Sequence, residues 1–435
     1  MKFCLTSPAT GYYAAQARSA AANASANVHL MHEPGRSCTT DALVRRSPPA
    51  ATSPSACPDI LGPRGDFITS PEISDIFGEL LAVWVCHELR SIGFTVHQNW
   101  QLVELGPGTG ALSDRMLSTL SKLSAHAQSL ARLCLVESSP QLAHKQHSLL
   151  CKSTEAAAQQ SLDETTFLKG TANYDQRSIA VSWHRDIADV PDDLFTVFVA
   201  NEFFDALPIH QFLRDRDHRW CELFMDVDKE TGKLRPSLSP GETLHLRAHL
   251  PEHVRNDEQR LVYEVCPEAG VILSQLAHRV TRRGGCVLIV DYGHNGQRNT
   301  PSFRAYHQHS VVDEPWLHPA GSCDLTADVN FAHFRTLLTE SVGAASALLC
   351  FGAITQREFL SNLGVTVRLE QLLRHYNDDV RMQRLLTESV SLLVDPAEMG
   401  DRFKVFCAFP KVLREIFDVR RFPTGFTGSV ELPFV

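Results

Sequence analysis

The stretch Leu102-Val103-Glu104-Leu105-Gly106-Pro107-Gly108-Thr109-Gly110 constrains the fold of this chain more than any other. It reads as a short buried strand, a glycine turn and a helix over about 111–123. The strand is apolar at Leu102, Val103 and Leu105, and it ends at a residue without a side chain. Glycine adopts backbone angles closed to other residues and lets a ligand approach the main chain closely. The helix that follows directs unpaired N–H groups and the positive end of its dipole into the turn. An anionic or carboxylate-bearing cofactor is the natural occupant. This unit belongs to an open α/β sheet, with the ligand outside the carboxyl ends of the strands.

Two cofactor classes use such a turn. A dinucleotide site wants G-x-G-x-x-G or G-x-G-x-x-A opening a helix, and Gly106, Gly108 and Ala111 meet the weaker form. An S-adenosylmethionine site, as in class I methyltransferases, resembles E/D-x-G-x-G-x-G. Glu104, Gly106, Gly108 and Gly110 fit it in full, with Pro107 and Thr109 between the glycines. The added acid and third glycine favour S-adenosylmethionine. An αβ turn that binds nothing needs fewer glycines than this.

Further strands place acids where such a sheet puts its chemistry. Arg132–Val136 is an apolar strand ending at Glu137, the position from which a carboxylate accepts from ribose hydroxyls. Val181–Arg185 ends at Asp186, within reach of an adenine amino group; a solvated surface acid fits it equally. The apolar run Phe195–Ala200 leads into Asn201-Glu202-Phe203-Phe204-Asp205-Ala206-Leu207-Pro208, where two acids beside two aromatics are hard to explain as packing. Cys286–Val290 is another central strand, with Asp291 at its end. Upstream, Ser70-Pro71-Glu72 reads as a helix start, with Ser70 the N-cap. Apolar residues from Ile73 to Val85 then recur at helical spacing. Gln211–Arg214 and Trp220–Asp226 read as a hairpin, Leu261–Val265 as a strand and Ala269–Arg282 as a helix.

Composition narrows the function. With 41 basic and 50 acidic residues the net charge is −9, which argues against a general nucleic-acid binder. No apolar run approaches the roughly 20 residues of a membrane span. The twelve cysteines contain no C-x-x-C pair, and the twenty histidines contain no H-E-x-x-H, so neither a zinc ribbon nor a zincin is expected. His307-Gln308-His309 reads as a solvated loop rather than a metal site. No Ser-His-Asp or Cys-His arrangement points to a hydrolase.

Three regions are expected among the 435 residues. Residues 1–64 are Ala/Ser- and Pro-rich and read as a low-complexity, transit-like or mis-joined extension. Residues 65–294 form the cofactor-binding core. Residues 295–435 carry helical patterns over 331–340, 356–363 and 367–376, with a short helix expected from Asp395-Pro396, and read as a mainly helical cap.

Several stretches together resemble one family, the MidA-type methyltransferases. They are Gly65–Gly78, Leu102–Gly110, Ala200–His210, Val265–Gly270, Val290–His294, Asp324–Phe331, Gly352–Gly364 and Met399–Phe406. Leu5–Tyr13 resembles a family segment that normally lies shortly before Gly65-Asp66-Phe67; here a low-complexity stretch intervenes. The resemblance implies a class I, Rossmann-like methyltransferase sheet with a helical C-terminal cap, acting with S-adenosylmethionine in mitochondria. It also implies symmetric dimethylation of an arginine on a core subunit of respiratory complex I, in support of assembly of that complex. From the turn pattern and the strand-end positions, Glu104 and the 106–110 backbone are expected to hold the methionine end, Glu137 the ribose and Asp186 the adenine. Glu202, then Asp205, then Asp291 are the candidates to orient a guanidinium. Two alternatives stay open: a cofactor-binding assembly protein without essential catalysis, and a nicotinamide-dependent oxidoreductase using Gly106, Gly108 and Ala111.

Overall fold

The strand before the glycine turn forms as β1 (Trp100–Leu105) in the computed structural model. The structure describes residues 69–426 apart from 124–128, 152–164, 176, 308–309, 320 and 342–346. The expected 1–64 extension, Leu5–Tyr13 and His309 lie outside the described residues. All six residues of β1 are buried, the polar Gln101 and Glu104 included, because both faces of a parallel sheet are covered. Before it come α1 (Ser70–Ile73) and α2 (Asp75–Ser91). The single helix expected here is broken at Ser74, whose extended backbone and hydroxyl cap α2. The N-cap of α1 is Thr69 rather than Ser70, because Thr69 and Glu72 form a reciprocal capping box.

After the turn, α3 (Ala111–Leu120) leads to β2 (Leu130–Val136), and α4 (Pro140–Leu150) follows. Then come β3 (Leu168–Tyr174), β4 (Arg177–His184) and β5 (Phe195–Asn201). The expected hairpin forms as β6 (His210–Arg214) and β7 (Trp220–Val227). With β8 (Leu234–Leu238) and β9 (Val262–Val265) it makes a separate antiparallel sheet in the order β8-β7-β6-β9. Helices α5 (Leu244–His249) and α6 (Glu252–Arg255) supply Leu246, Leu250 and Val254 to that sheet's small core. The chain returns through α7 (Pro267–Arg283) to β10 (Gly285–His294).

Beyond β10 the outcome differs from a mainly helical cap. A three-stranded sheet forms from β11 (Arg304–His307), β12 (Ser310–Val312) and β13 (Asp324–Thr326), and β14 (Val329–Asn330) pairs with the end of β10. Helix α8 (Phe331–Thr336) follows. Then β15 (Leu348–Thr355) and β16 (Phe403–Pro410) join the central sheet, flanking α9 (Gln356–Asn362), α10 (Val365–His375), α11 (Val380–Val394) and α12 (Met399–Arg402). The expected division at residue 294 therefore cuts through one sheet, and the short helix begins at Met399 rather than at Asp395-Pro396. The last helix is α13 (Arg414–Arg420).

The central sheet runs β15-β16-β10-β5-β1-β2-β4-β3. Strands β10, β5, β1, β2 and β4 are parallel, and the antiparallel partners lie at the two edges. Chain order reverses at β1, so a crevice opens at the carboxyl ends of β1 and its neighbours. Alternate residues feed two cores. Leu102 packs on the side of α2 and the C-terminal helices, while Val103 and Leu105 pack on the side of α7 and α8. Two ion pairs bind α2 to the C-terminal part: Arg368 forks onto Glu79, and Arg420 forks onto the buried Glu88, which also accepts from the Thr424 amide.

Candidate active site

The turn leaves the sheet in register, with the Gly106 amide donating to the Val136 carbonyl at 3.0 Å. Gly106 has φ +64°, and a Cβ there would lie 2.7 Å from Cδ2 of Phe203. Gly110 caps α3 with φ +86°, and a Cβ there would lie 3.2 Å from Cγ of Gln146. Left-handed backbone and close neighbours thus both demand glycine. A cavity of about 390 Å³ opens above the turn. Its floor is Glu104–Thr109 with the first residues of α3, one side is Val136–Ser138 with Arg185–Ile187, and the other is Asn201–Phe203 with Ala206 and Leu207. Thr69 and Pro71 lean in from α1.

The acids of this cavity are buried. Glu104 accepts from the Ser113 hydroxyl, and burial, with the nearby Glu137 charge, pushes its carboxyl up to about 7. Glu137 accepts from the Ser139 amide at 2.8 Å and from Gln146 Nε2 at 3.0 Å, and burial raises it to about 7 as well. Asp186 accepts from the Ala188 amide at 2.8 Å, capping a short 3-10 turn at the cavity edge.

Glu202 holds a left-handed φ of +51°. Its amide donates to Val290, one carboxylate oxygen accepts from the Ser70 amide at 3.0 Å and from Asn201 Nδ2 at 3.1 Å, and burial raises its carboxyl to about 7. The other oxygen, Oε2, is buried with no hydrogen-bond partner among the described residues, as is Oδ1 of Asn201. Ser70 Oγ, beside the same carboxyl, is likewise buried without a hydrogen-bond partner, so this strained wall holds one hydroxyl and two acceptors that no other described residue satisfies.

The structure separates the three acids expected to share one role. Glu202 lines the cavity; Asp205 and Asp291 do not. Asp291 is fully buried: its Oδ2 accepts from the amides of Phe203, Phe204 and Asp205, and its Oδ1 from Tyr292. It therefore shapes the turn that carries Glu202 and has no oxygen to offer a substrate, which corrects the sequence expectation. Asp205 is buried, and burial together with the Asp291 charge holds its carboxyl well above the usual range. Gly110, expected at the cofactor, does not line the cavity; it closes the turn, its amide donating to the Pro107 carbonyl at 2.7 Å.

Three further residues complete the site. Gln146 on α4 donates to the Gly108 carbonyl at 2.8 Å and to Glu137, and it accepts from Trp183 Nε1 at 2.8 Å, joining turn, acid and β4. Phe203 packs against Gly106. Glu72 accepts from the Thr109 hydroxyl at 2.9 Å and so fastens α1 to the turn. Phe203 is readable as one of the two aromatics beside the acids and Glu72 through the T-x-x-E capping box of Thr69–Glu72, whereas Gln146 has no signal in the sequence. Among the described residues no group of His, Cys, Asp or Glu is arranged to hold a metal ion, and no helix is long and apolar enough to cross a membrane.

Comparison with known proteins gives one consistent result. Residues 80–349 match the family model for S-adenosyl-L-methionine-dependent methyltransferases. The chain is 41% identical over 371 residues to the mitochondrial protein arginine methyltransferase NDUFAF7 homolog of Caenorhabditis elegans, spanning 85% of this chain and 81% of that one. Against the mitochondrial protein arginine methyltransferase NDUFAF7 of Homo sapiens it is 37% identical over 358 residues, spanning 81% and 75%. Among solved structures, a superfamily member from Burkholderia thailandensis bound to S-adenosyl-homocysteine shares the fold, with a TM-score of 0.62 at 23% identity over 85% of this chain and 83% of that one.

Proposed function

Since the chain belongs to the S-adenosyl-L-methionine-dependent methyltransferases, we propose that it methylates arginine side chains of a protein substrate in mitochondria. The observation that carries this reading is the pair of orphan acceptors at Glu202 and Asn201, buried in the wall of the glycine-turn cavity. The cavity's chemistry fits the cofactor: the glycine turn leaves room for its methionine end, and Glu104, Glu137 and Asp186 offer carboxylates to its amino, ribose and adenine groups. When bound, S-adenosylmethionine supplies an electrophilic methyl group on a sulfonium.

The chain's own residues do the rest. Arginine arrives as a cation, its pKa being above about 12. Glu202 Oε2 and Asn201 Oδ1 accept two of its N–H groups, fixing the plane of the guanidinium. The Glu202 charge draws positive charge toward the bonded nitrogens and leaves another nitrogen better able to attack. With its carboxyl near 7, Glu202 also stands ready to take the proton released on methylation. Asp291 positions Glu202 through the amides of the 203–205 turn, and Gln146 positions Glu137.

The finer assignment rests on the family resemblance alone: the substrate is a core subunit of respiratory complex I, and the product is symmetric dimethylarginine. Incubating the protein with labelled S-adenosylmethionine and purified core subunits, then mapping modified arginines by mass spectrometry, tests it. Label on a single arginine, carried to the dimethyl stage, supports the reading; no labelled arginine on any subunit overturns it.

A further inference from the structure

A second cavity, about 700 Å³, lies past Asp291 at the carboxyl end of β10. Arg298, Arg304 and Arg402 line it with a single carboxylate, Asp328. Asp328 is shared, accepting from Arg298 at 2.6 Å and from Arg304 at 2.5 Å, so three guanidiniums against one carboxylate leave an excess of positive charge. Arg298 is also occupied by the carbonyls of Thr300 and Pro301. Arg304 is placed differently. It stacks over Tyr292 at 5.0 Å and uses only Nη1, for Asp328 and the Ser302 carbonyl, which leaves Nη2 without a partner among the described residues. Arg402 is exposed at the rim. His294 Nδ1 accepts from the Gly296 amide, so its neutral ring carries the proton on Nε2 and adds a donor; burial keeps it neutral by pulling its pKa down to about 4.

This donor-rich, cationic pocket suits a carboxylate and repels the arginine itself. Strand β10 lies two places from β1 in the parallel sheet, so at about 4.8 Å per strand the pocket is roughly 10 Å along the edge from the glycine turn. Glu202 lines the first cavity and its charge is felt at Tyr292, which lines the second, so the two cavities are near neighbours. An extended chain covers 10 Å in about three residues.

Resting on the reading of Glu202 as the guanidinium acceptor, we propose that this pocket binds an acidic side chain of the protein substrate within about four residues of the methylated arginine, and so selects which arginine is modified. The test uses the full chain with purified complex I core subunits and labelled S-adenosylmethionine. Arg402→Gln should raise KM for the protein substrate about tenfold with kcat and cofactor affinity unchanged. Arg304→Lys, which keeps the charge but loses the fork, should shift KM in the same direction. Changing the substrate's acid to its amide should raise KM for the parent enzyme about tenfold and add nothing in Arg402→Gln. Equal KM for acidic and neutral substrates overturns the proposal. So does binding of inorganic phosphate, lost in Arg402→Gln, without any dependence on the substrate's acid, which would make the pocket a free-anion site. If no arginine is methylated at all while S-adenosylmethionine still binds, the arginine reading fails and the pocket's role with it; the other two results leave that reading standing.

Discussion

Glu202→Gln separates the electrostatics of the site from its shape. Burial lifts the Glu202 carboxyl from 4.5 to about 7. A folded pKa above the unfolded one means that the folded chain holds the extra proton. The penalty for burying Glu202 is therefore absent well below pH 4.5, grows between 4.5 and 7, and is complete above 7. Worked from those two values, it is roughly 1 kcal/mol at pH 5 and roughly 3 kcal/mol at pH 8. Glutamine keeps an oxygen for the Ser70 amide and carries no charge. Any constant cost of its unpaired amide cancels when the two pH values are compared. The stability of the variant relative to the parent should thus improve by roughly 2 kcal/mol from pH 5 to pH 8, several degrees in melting temperature. Thermal melts of both proteins at the two pH values read this directly. The same melting difference at pH 5 and pH 8 would refute the claim that Glu202 is held as a buried acid. In parallel, methyl transfer should fall by about 10²-fold or more while S-adenosylmethionine affinity stays within about twofold. For the parent, kcat/KM toward the protein substrate should climb with pH below about 7 and level off above, since the ionised carboxylate is the acceptor.

Other substitutions test other parts. Gly106→Ala forces a side chain into a left-handed position against the Phe203 ring; it should cost about 1–2 kcal/mol in strain alone and weaken S-adenosylmethionine binding by more than about tenfold in calorimetric titration. Gln146→Ala strips partners from the Gly108 carbonyl, Glu137 and Trp183, and should lower stability by about 2–4 kcal/mol in denaturant unfolding and weaken cofactor binding without touching the protein substrate's KM. Arg420→Ala leaves the buried Glu88 unpaired and should cost about 3–5 kcal/mol at pH 7, with kcat little changed, because the pair fastens α2 to the C-terminal part far from the cavity.

Much of the site could be read in the sequence because its parts are local. A strand, three glycines and a helix within a few turns of chain define β1 and α3, and acids at strand ends announce Glu137, Asp186 and Glu202. The family match also sets aside the nicotinamide alternative built on Gly106, Gly108 and Ala111. What stayed hidden depends on distant pairing. Asp291 looks like Glu202 in sequence, an acid after an apolar strand. Only the neighbouring position of β5 and β10 shows that it is consumed by the amides of the 203–205 turn. Gln146 is one polar residue on a half-buried helix, and nothing nearby in sequence distinguishes it from a solvated one. Strands β15 and β16 were missed for a similar reason. Both are buried along nearly their whole length, so they lack the alternation that marks a strand, and they flank helices whose capping box and periodicity are plain.

The most direct test of the account is a crystal structure of this protein with S-adenosyl-homocysteine. The account predicts the ligand in the cavity over Gly106–Gly110, its ribose hydroxyls on Glu137, and the Glu202 carboxylate still in the wall with no protein partner on Oε2. Ligand bound elsewhere, or that cavity closed by protein side chains with Glu202 turned away, would contradict it.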